Sequence, residues 1–325
     1  MKIVYVLISN ENDTYYEQTI ISVMSLRKVM PEAEVILLVD NDTFDTFKGK
    51  RTMPENLKVN VIAVNVPAEY NSKDRSRYLK TTMRSNVTGD FLYIDGDTVI
   101  CESMEDIDRN MIIGCVLDKH YMLDNNPSGR GIIKRANQCG FHSDYEGKHF
   151  NGGFMWVKDD KRSYEFFNLW YDLWKLARDK GVTQDQASLN EANYRFNGLI
   201  QEMDGTWNCQ ISNRTGALQY LYNARMIHYF ASYGNRGVPY DLADREILKS
   251  VFDDEPDHRL LEILDTPKAG FKSVCTIGND LADADLLESN TFLYIKKLYL
   301  KHKRIFKLIE KGCHCLNALD RKLKK

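Results

Sequence analysis

Across roughly its first hundred residues the chain alternates short apolar runs, rich in β-branched residues, with segments of helical spacing. This alternation constrains the fold more than any other feature. Lys2 to Ile8, Val35 to Val39, Leu57 to Val64 and Phe91 to Ile94 read as buried strands. Between the first two, Ile20, Val23, Met24 and Leu26 recur at helical spacing within Thr14 to Met30, and Pro31 ends that helix. Before the last strand, Ser72 is placed to cap a helix running to about Asn86. The order predicts an α/β fold with a mostly parallel central sheet covered by helices. Such sheets bind ligands beyond the carboxyl ends of their strands. Three polar clusters fall at those ends: Ser9-Asn10, Asp40-Asn41 and Asp95-Gly96-Asp97.

The middle of the chain is less regular. Tyr121 to His149 carries Pro127, four glycines and many polar residues, and is expected to form a long loop or small subdomain. Phe150 to Val157 reads as a further strand, Tyr164 to Arg178 as an aromatic-rich helix, and Asp185 to Tyr194 as a short helix. Arg225 to Phe230 reads as a strand with His228 at its centre.

Charge separates the end of the chain from the rest. The formal net charge is −2, without the basic excess that nucleic-acid binding requires. Yet residues 291–325 hold eleven Lys/Arg against Glu310 and Asp320. Phe292, Leu293, Ile295, Leu298, Tyr299, Ile305, Phe306, Leu308 and Ile309 recur among those lysines at near-helical spacing. A basic, aromatic, amphipathic stretch of this kind suits an anionic membrane surface. The alternative is a helix packed on its own body. The seven cysteines include no C-x-x-C pair, which argues against a disulfide framework and fits a reducing compartment. The apolar run at Met1 to Ile8 is too short for a leader, and no stretch is long enough to cross a bilayer.

Asp95-Gly96-Asp97 is the sharpest local signal. Carboxylates at i and i+2 at a strand end share a face, and Gly96 leaves room for a ligand to approach. Hard divalent cations such as Mn²⁺ or Mg²⁺ take oxygen ligands and are commonly shared with a substrate diphosphate. A plain Asp-Gly turn is the competing reading.

The wider context resembles a known family. Ser76-Arg77-Tyr78-Leu79-Lys80, then fourteen residues, then Asp95-x-Asp97, is similar to the motif of family 8 glycosyltransferases of GT-A fold. That family includes bacterial lipopolysaccharide galactosyl- and glucosyltransferases and glycogenin. Three further blocks follow in order: Phe150-Asn151-Gly152-Gly153-Phe154-Met155, Asp185-Gln186-Ala187-Ser188-Leu189-Asn190 and Ile227-His228-Tyr229. The resemblance covers about residues 1–240. It implies a catalytic domain over 1–240, with a nucleotide-binding half at 1–100 and an acceptor-side half at 101–240. A helical part at 241–290 and the basic tail at 291–325 complete the chain.

By resemblance, Asp95 and Asp97 hold a divalent metal, Mn²⁺ first and Mg²⁺ second, with His228 as third ligand. Arg77 contacts the donor sugar or diphosphate, Gly96 lies beside it, and Asn151 bonds the donor sugar. Asp185 and Gln186 face the anomeric carbon. Ile8, Ser9 and Tyr15 or Tyr16 line the nucleotide pocket. The implied reaction moves a hexose from a nucleotide-sugar, a UDP-sugar by resemblance, to a glycan or lipid-linked glycan with retention of configuration. Lipopolysaccharide synthesis is the implied setting. The implied location is cytoplasmic, peripheral at the inner membrane face. Two departures stand out. A basic residue is expected soon after the late histidine, and Arg236 is the shifted candidate. Ala187 stands where the family often has a carboxylate.

Other classes remain as alternatives. Tyr93-Ile94-Asp95-Gly96-Asp97-Thr98-Val99 also resembles the nucleophile strand of haloacid-dehalogenase-type phosphatases, with Gly278-Asn279-Asp280, Asp283 and Asp285 as a late acidic motif. Three strands precede it here, whereas that strand normally comes first. A nucleotidyltransferase needs a glycine-rich loop after its first strand, and this chain has no glycine before Gly49. A catalytically inactive sugar-nucleotide-binding homologue is the third alternative.

Overall fold

The computed structural model describes residues 1–126, 128–143, 147–211, 218–230, 242, 244–271, 286 and 289–323. The chain divides into two units, residues 1–213 with 217–275, and residues 214–216 with 276–325.

In the first unit, β1 (Lys2–Leu7), α1 (Tyr15–Val29), β2 (Glu34–Asp40), the short α2 (Asn41–Asp45) and β3 (Val59–Val64) follow one another. Next come α3 (Ser72–Asn86), β4 (Phe91–Ile94), β5 (Thr98–Ile100), β6 (Ile113–Leu117) and α4 (Gly129–Cys139). Then follow β7 (Phe150–Val157), α5 (Lys161–Asp179), α6 (Gln186–Arg195), β8 (Ile200–Met203) and β9 (Cys209–Gln210). The described part closes with α7 (Leu218–Leu221), β10 (Met226–His228), α8 (Arg245–Lys249) and α9 (His258–Asp265).

The main sheet has the order β3-β2-β1-β4-β7-β6-β8. Strand β7 runs antiparallel to both its neighbours, and the other adjacent pairs are parallel. Alternate residues of β1 and β2 feed two core layers. Val4, Ile36 and Leu38 join Phe166 and Trp170 of α5 on one face. Ile3, Tyr5, Leu7, Val35, Leu37 and Val39 join Ile20, Val23 and Leu26 of α1 on the other. Each such side chain, fully buried, contributes about 1.5–3 kcal/mol. This is the α/β fold expected from the alternation, with the sheet's antiparallel element added in the middle.

Several expectations are corrected. The cap of α3 is Asn71, whose Oδ1 accepts from the N–H groups of Lys73 and Asp74; Ser72 is already helical. Strands β5 and β6 and helix α4 had no counterpart in the sequence reading. His228 ends β10 rather than sitting at its centre. That end position matters, because β5, β10 and β9 form a separate three-stranded sheet in which His228 lies opposite Thr98.

In the second unit, two helices span Asn290–Lys301 and Lys303–Leu323. Ser289 caps the first by accepting from the Phe292 N–H. Tyr294, Tyr299, Leu308 and Leu316 are exposed among the lysines. Among the described residues, no helix is long and apolar enough to cross a membrane.

Candidate active site

Two strand junctions build the site. Asp95 directly follows β4, and its N–H donates to the Gly153 carbonyl of β7 at 2.9 Å. The Thr98 hydroxyl donates to the Asp95 carbonyl at 2.9 Å and closes the Asp95–Thr98 turn. Thr98 also bonds Ser22 of α1, and Ser22 bonds Tyr5 of β1, so the turn is tied to the core. Within that turn, a Cβ on Gly96 would collide with the Thr19 hydroxyl.

The pairing of β5 with β10 then delivers the imidazole. The His228 Nε2 lies 3.1 Å from Asp97 Oδ1 and 4.0 Å from Asp95 Oδ2. One ligand atom from each of the three residues falls within 4.8 Å of the others. Burial alone would disfavour both charges. Asp97 nevertheless holds the His228 pKa above the usual histidine value, and His228 holds the Asp97 carboxyl below the usual carboxylate range. A cation taking the place of that proton meets two carboxylates and an imidazole, a donor set suited to a hard-to-borderline divalent metal.

Gly153 supplies the room. A Cβ there would lie 2.6 Å from His228 Cε1, 2.7 Å from Asp95 Oδ2 and 2.9 Å from Asn151 Oδ1. The residues therefore fit a metal: the ligands converge, and the one position whose side chain would fill the space between them is glycine.

A cationic pair lies beside the metal ligands. Lys80 Nζ is 3.2 Å from Asp95 Oδ1 and 3.6 Å from Asp185 Oδ2. Arg77 Nε is 3.2 Å from Asp185 Oδ1. The Tyr93 hydroxyl also donates to Asp95 Oδ1. Burial opposes the Lys80 charge, but Asp95 and Asp185 more than offset it and raise its pKa. The Asp185 charge raises that of Arg77. Asp185 is the N-cap of α6 yet makes no side-chain capping bond, because its carboxylate is turned to Arg77 and Lys80.

Helix α6 is fixed to β7 through Asn190. Its amide accepts from the Phe150 N–H at 2.8 Å and donates to the Phe150 carbonyl at 3.2 Å. This clamp holds the block beginning at Asp185 next to the one beginning at Phe150. Asn151 is buried; it donates to Asp118 Oδ1 and accepts from the Gly153 N–H and the Asn208 amide. Gln186 lines a cavity of about 360 Å³ with Asp118 and Ala187.

Of the expected nucleotide-pocket residues, Ile8 and Ser9 follow the carboxyl end of β1, and Tyr15 and Tyr16 open α1. Ile8 is half-buried and Ser9 is buried. The Ser9 hydroxyl donates to Asp13 Oδ1 and accepts from Arg51 Nη2. Tyr15 is 46% exposed, whereas Tyr16 is fully buried against Phe47 and Phe252, so only Tyr15 is open to a base. Arg236 and the acidic stretch Gly278–Asp285 lie outside the described residues.

Lys80 lies within the Ser76–Lys80 motif, which by itself gives it no role. Its spacing of three from Arg77 on one helical face was the available signal. No comparable signal marks Asp118, at the end of the unrecognised β6, or the spatial role of Gly153.

No family model matches the chain, and no curated protein matches it. Among solved structures the likeness is to a GT-A fold, and the chain has that fold. One such structure is the galactosyltransferase LgtC in complex with donor and acceptor sugar analogues. It has a TM-score of 0.51 at 16% identity over 79% of this chain and 98% of that one. An active-site mutant of LgtC gives a TM-score of 0.50 at 15% identity with the same coverage of both chains.

Proposed function

We propose that this chain is a metal-dependent glycosyltransferase that transfers a hexose from a nucleotide-sugar, a UDP-sugar in the first instance, to a glycan or lipid-linked glycan. The observation that carries the proposal is the convergence of Asp95, Asp97 and His228 within 4.8 Å, next to β4 of a GT-A sheet. These three residues would hold the cation, Mn²⁺ by preference. When bound, the metal would supply positive charge opposite the departing diphosphate.

The protein's own groups do the rest. Arg77 and Lys80 carry fixed positive charge beside the metal ligands and are positioned to grip donor oxygens. Asp185 and Gln186, at the start of α6, are positioned to face the sugar across from the leaving group. Tyr15, exposed at the start of α1, is the candidate for stacking on the base, with Ile8 and Ser9 following β1 as further pocket residues. Asn151, beside the metal ligands, is positioned to hydrogen-bond the donor sugar. With an acceptor hydroxyl attacking on the face that the diphosphate leaves, a diphosphate oxygen can take its proton and configuration is retained. The phosphatase alternative gives no work to Asn151, Asp185 or His228, and we do not favour it.

A donor-hydrolysis screen over sugar nucleotides, with Mn²⁺ or with chelator, should give turnover of at least one donor with metal and loss of about a hundredfold or more without it. Proton NMR of the first product should show the donor's anomeric configuration. An inverted product, or turnover indifferent to chelation, would contradict the proposal.

We further propose that residues 291–325 attach the protein to an anionic membrane surface on its cytoplasmic face. Support comes from the exposed Tyr294, Tyr299, Leu308 and Leu316 among lysines on two consecutive helices. Flotation with phosphatidylglycerol vesicles should carry the full chain, and the chain ending at residue 290 should stay at the bottom. Equal flotation would remove the idea.

A further inference from the structure

A metal-ligating histidine is ordinarily oriented by a hydrogen bond from its second ring nitrogen. His228 is held differently. Its Nε2 faces Asp97 and Asp95. Its Nδ1 is buried and has no hydrogen-bond partner among the described residues. The backbone on either side is fixed. The His228 carbonyl accepts from the Ile211 N–H at 2.8 Å, and the Tyr229 N–H donates to the Asp97 carbonyl at 3.1 Å. These bonds set where the side chain leaves β10, but they do not set the plane of its ring.

Phe230 supplies what hydrogen bonding does not. Its ring stacks on the His228 imidazole, with centroids 3.9 Å apart and planes inclined by 26°. The Gly153 backbone borders the Cε1 edge, since a Cβ there would lie 2.6 Å from that atom. A turn of the imidazole would therefore drive it against a flat apolar face or against β7.

The chain bends to make this stack. Strand β10 ends at His228. In an extended continuation, residues 228 and 230 would stand on one face roughly 6.6 Å apart along the strand. The Phe230 φ is instead +51°, in the left-handed region that a bulky side chain rarely adopts. That turn brings the two rings into contact. Strain of this kind persists where the surroundings over-determine it, and it clusters at ligand sites.

We propose that Phe230 is a positioning residue of the metal centre: its ring holds the His228 imidazole in the plane that presents Nε2 to a cation shared with Asp95 and Asp97. The proposal rests on the metal reading of those three residues and adds to it a group outside the ligand set.

The test is Mn²⁺ binding by the full chain, followed by EPR, with pulsed EPR reporting the coupling of Mn²⁺ to an imidazole nitrogen. Phe230→Leu keeps apolar bulk but loses the flat face. It should weaken Mn²⁺ binding by about tenfold and change that coupling. Phe230→Gly removes the ring and also relieves the left-handed backbone, so it should lose as much affinity even if the leucine variant folds poorly. Phe230→Tyr keeps the stack and should bind Mn²⁺ within about threefold of the parent. A merely structural role would lower the melting temperature and leave affinity and coupling alone. Unchanged affinity and coupling in both Phe230→Leu and Phe230→Gly, or a tyrosine variant as weak as the leucine one, would overturn the proposal alone. A parent that binds no Mn²⁺, or binds it without imidazole coupling, would overturn the metal reading together with it.

Discussion

Gly153→Ala should abolish high-affinity Mn²⁺ binding and lower donor turnover by about a hundredfold or more, while the far-UV circular dichroism stays that of the parent. The added carbon would sit 2.6 Å from His228 Cε1 and 2.7 Å from Asp95 Oδ2, inside van der Waals contact with two of the three ligand side chains. The backbone has little freedom to retreat. Gly153 lies in β7, an interior strand between β4 and β6, its carbonyl accepts from Asp95 and its N–H donates to Asn151. Side chains must move instead, and the ones that move are ligands. Overpacking of this kind costs about 1–3 kcal/mol, which a core of this size survives. Gly152→Ala is the matched control. Its Cβ would meet Leu189 and Lys80 at 3.5 Å, an ordinary contact, so Mn²⁺ affinity should change by less than about threefold. Equal Mn²⁺ affinity in both variants would show that the space in front of Gly153 is not a metal site.

Lys80→Met should reduce kcat by about a hundredfold and lower stability by roughly 3 kcal/mol without weakening Mn²⁺ binding. Lys80 is buried and is the shared counter-ion of Asp95 and Asp185. Removing it leaves two carboxylates near one another with only Arg77, on the Asp185 side, to compensate. The stability cost reflects uncompensated charge, moderated because Asp95 is partly exposed. Metal affinity should hold or rise, since a competing positive charge leaves Asp95. Urea melts, a Mn²⁺ titration and steady-state kinetics separate the three effects. Weaker Mn²⁺ binding with unchanged kcat would mean that Lys80 only orders the metal ligands.

The parts of the fold legible in the sequence are those set by local pattern. Four apolar runs and the helical spacing within Thr14 to Met30 mark the first half of the sheet: β1, β2 and β4 are buried almost throughout and their composition says so, while β3, at the edge, is only partly buried. Strand β5 was not legible: Thr98-Val99-Ile100 is three residues long, and it exists as a strand through pairing with β10, more than a hundred residues away. Helix α4 begins Gly129-Arg130-Gly131, a poor helical start, and is held by the burial of Ile132, Ala136 and Cys139. The antiparallel placement of β7 between β4 and β6 is likewise a tertiary choice, and the composition of a buried strand is silent on direction.

The candidate site divides along the same line. Asp95 and Asp97 were legible because two carboxylates flank a glycine at a strand end, and His228 entered through a block resemblance alone. Their meeting depends on the Thr98–His228 register. Gly153 and the cavity lined by Asp118 and Gln186 depend on distances between elements that no local window contains, whereas Lys80 shares a helical face with Arg77.

The most direct measurement is an EPR-monitored titration of the full chain with Mn²⁺, with and without UDP, in the parent and in Asp97→Ala. The parent should take up about one Mn²⁺ per chain, more tightly when UDP is present, and Asp97→Ala should lose that site. The same stoichiometry and affinity in Asp97→Ala would contradict the assignment of Asp95, Asp97 and His228 as the centre that grips a nucleotide diphosphate.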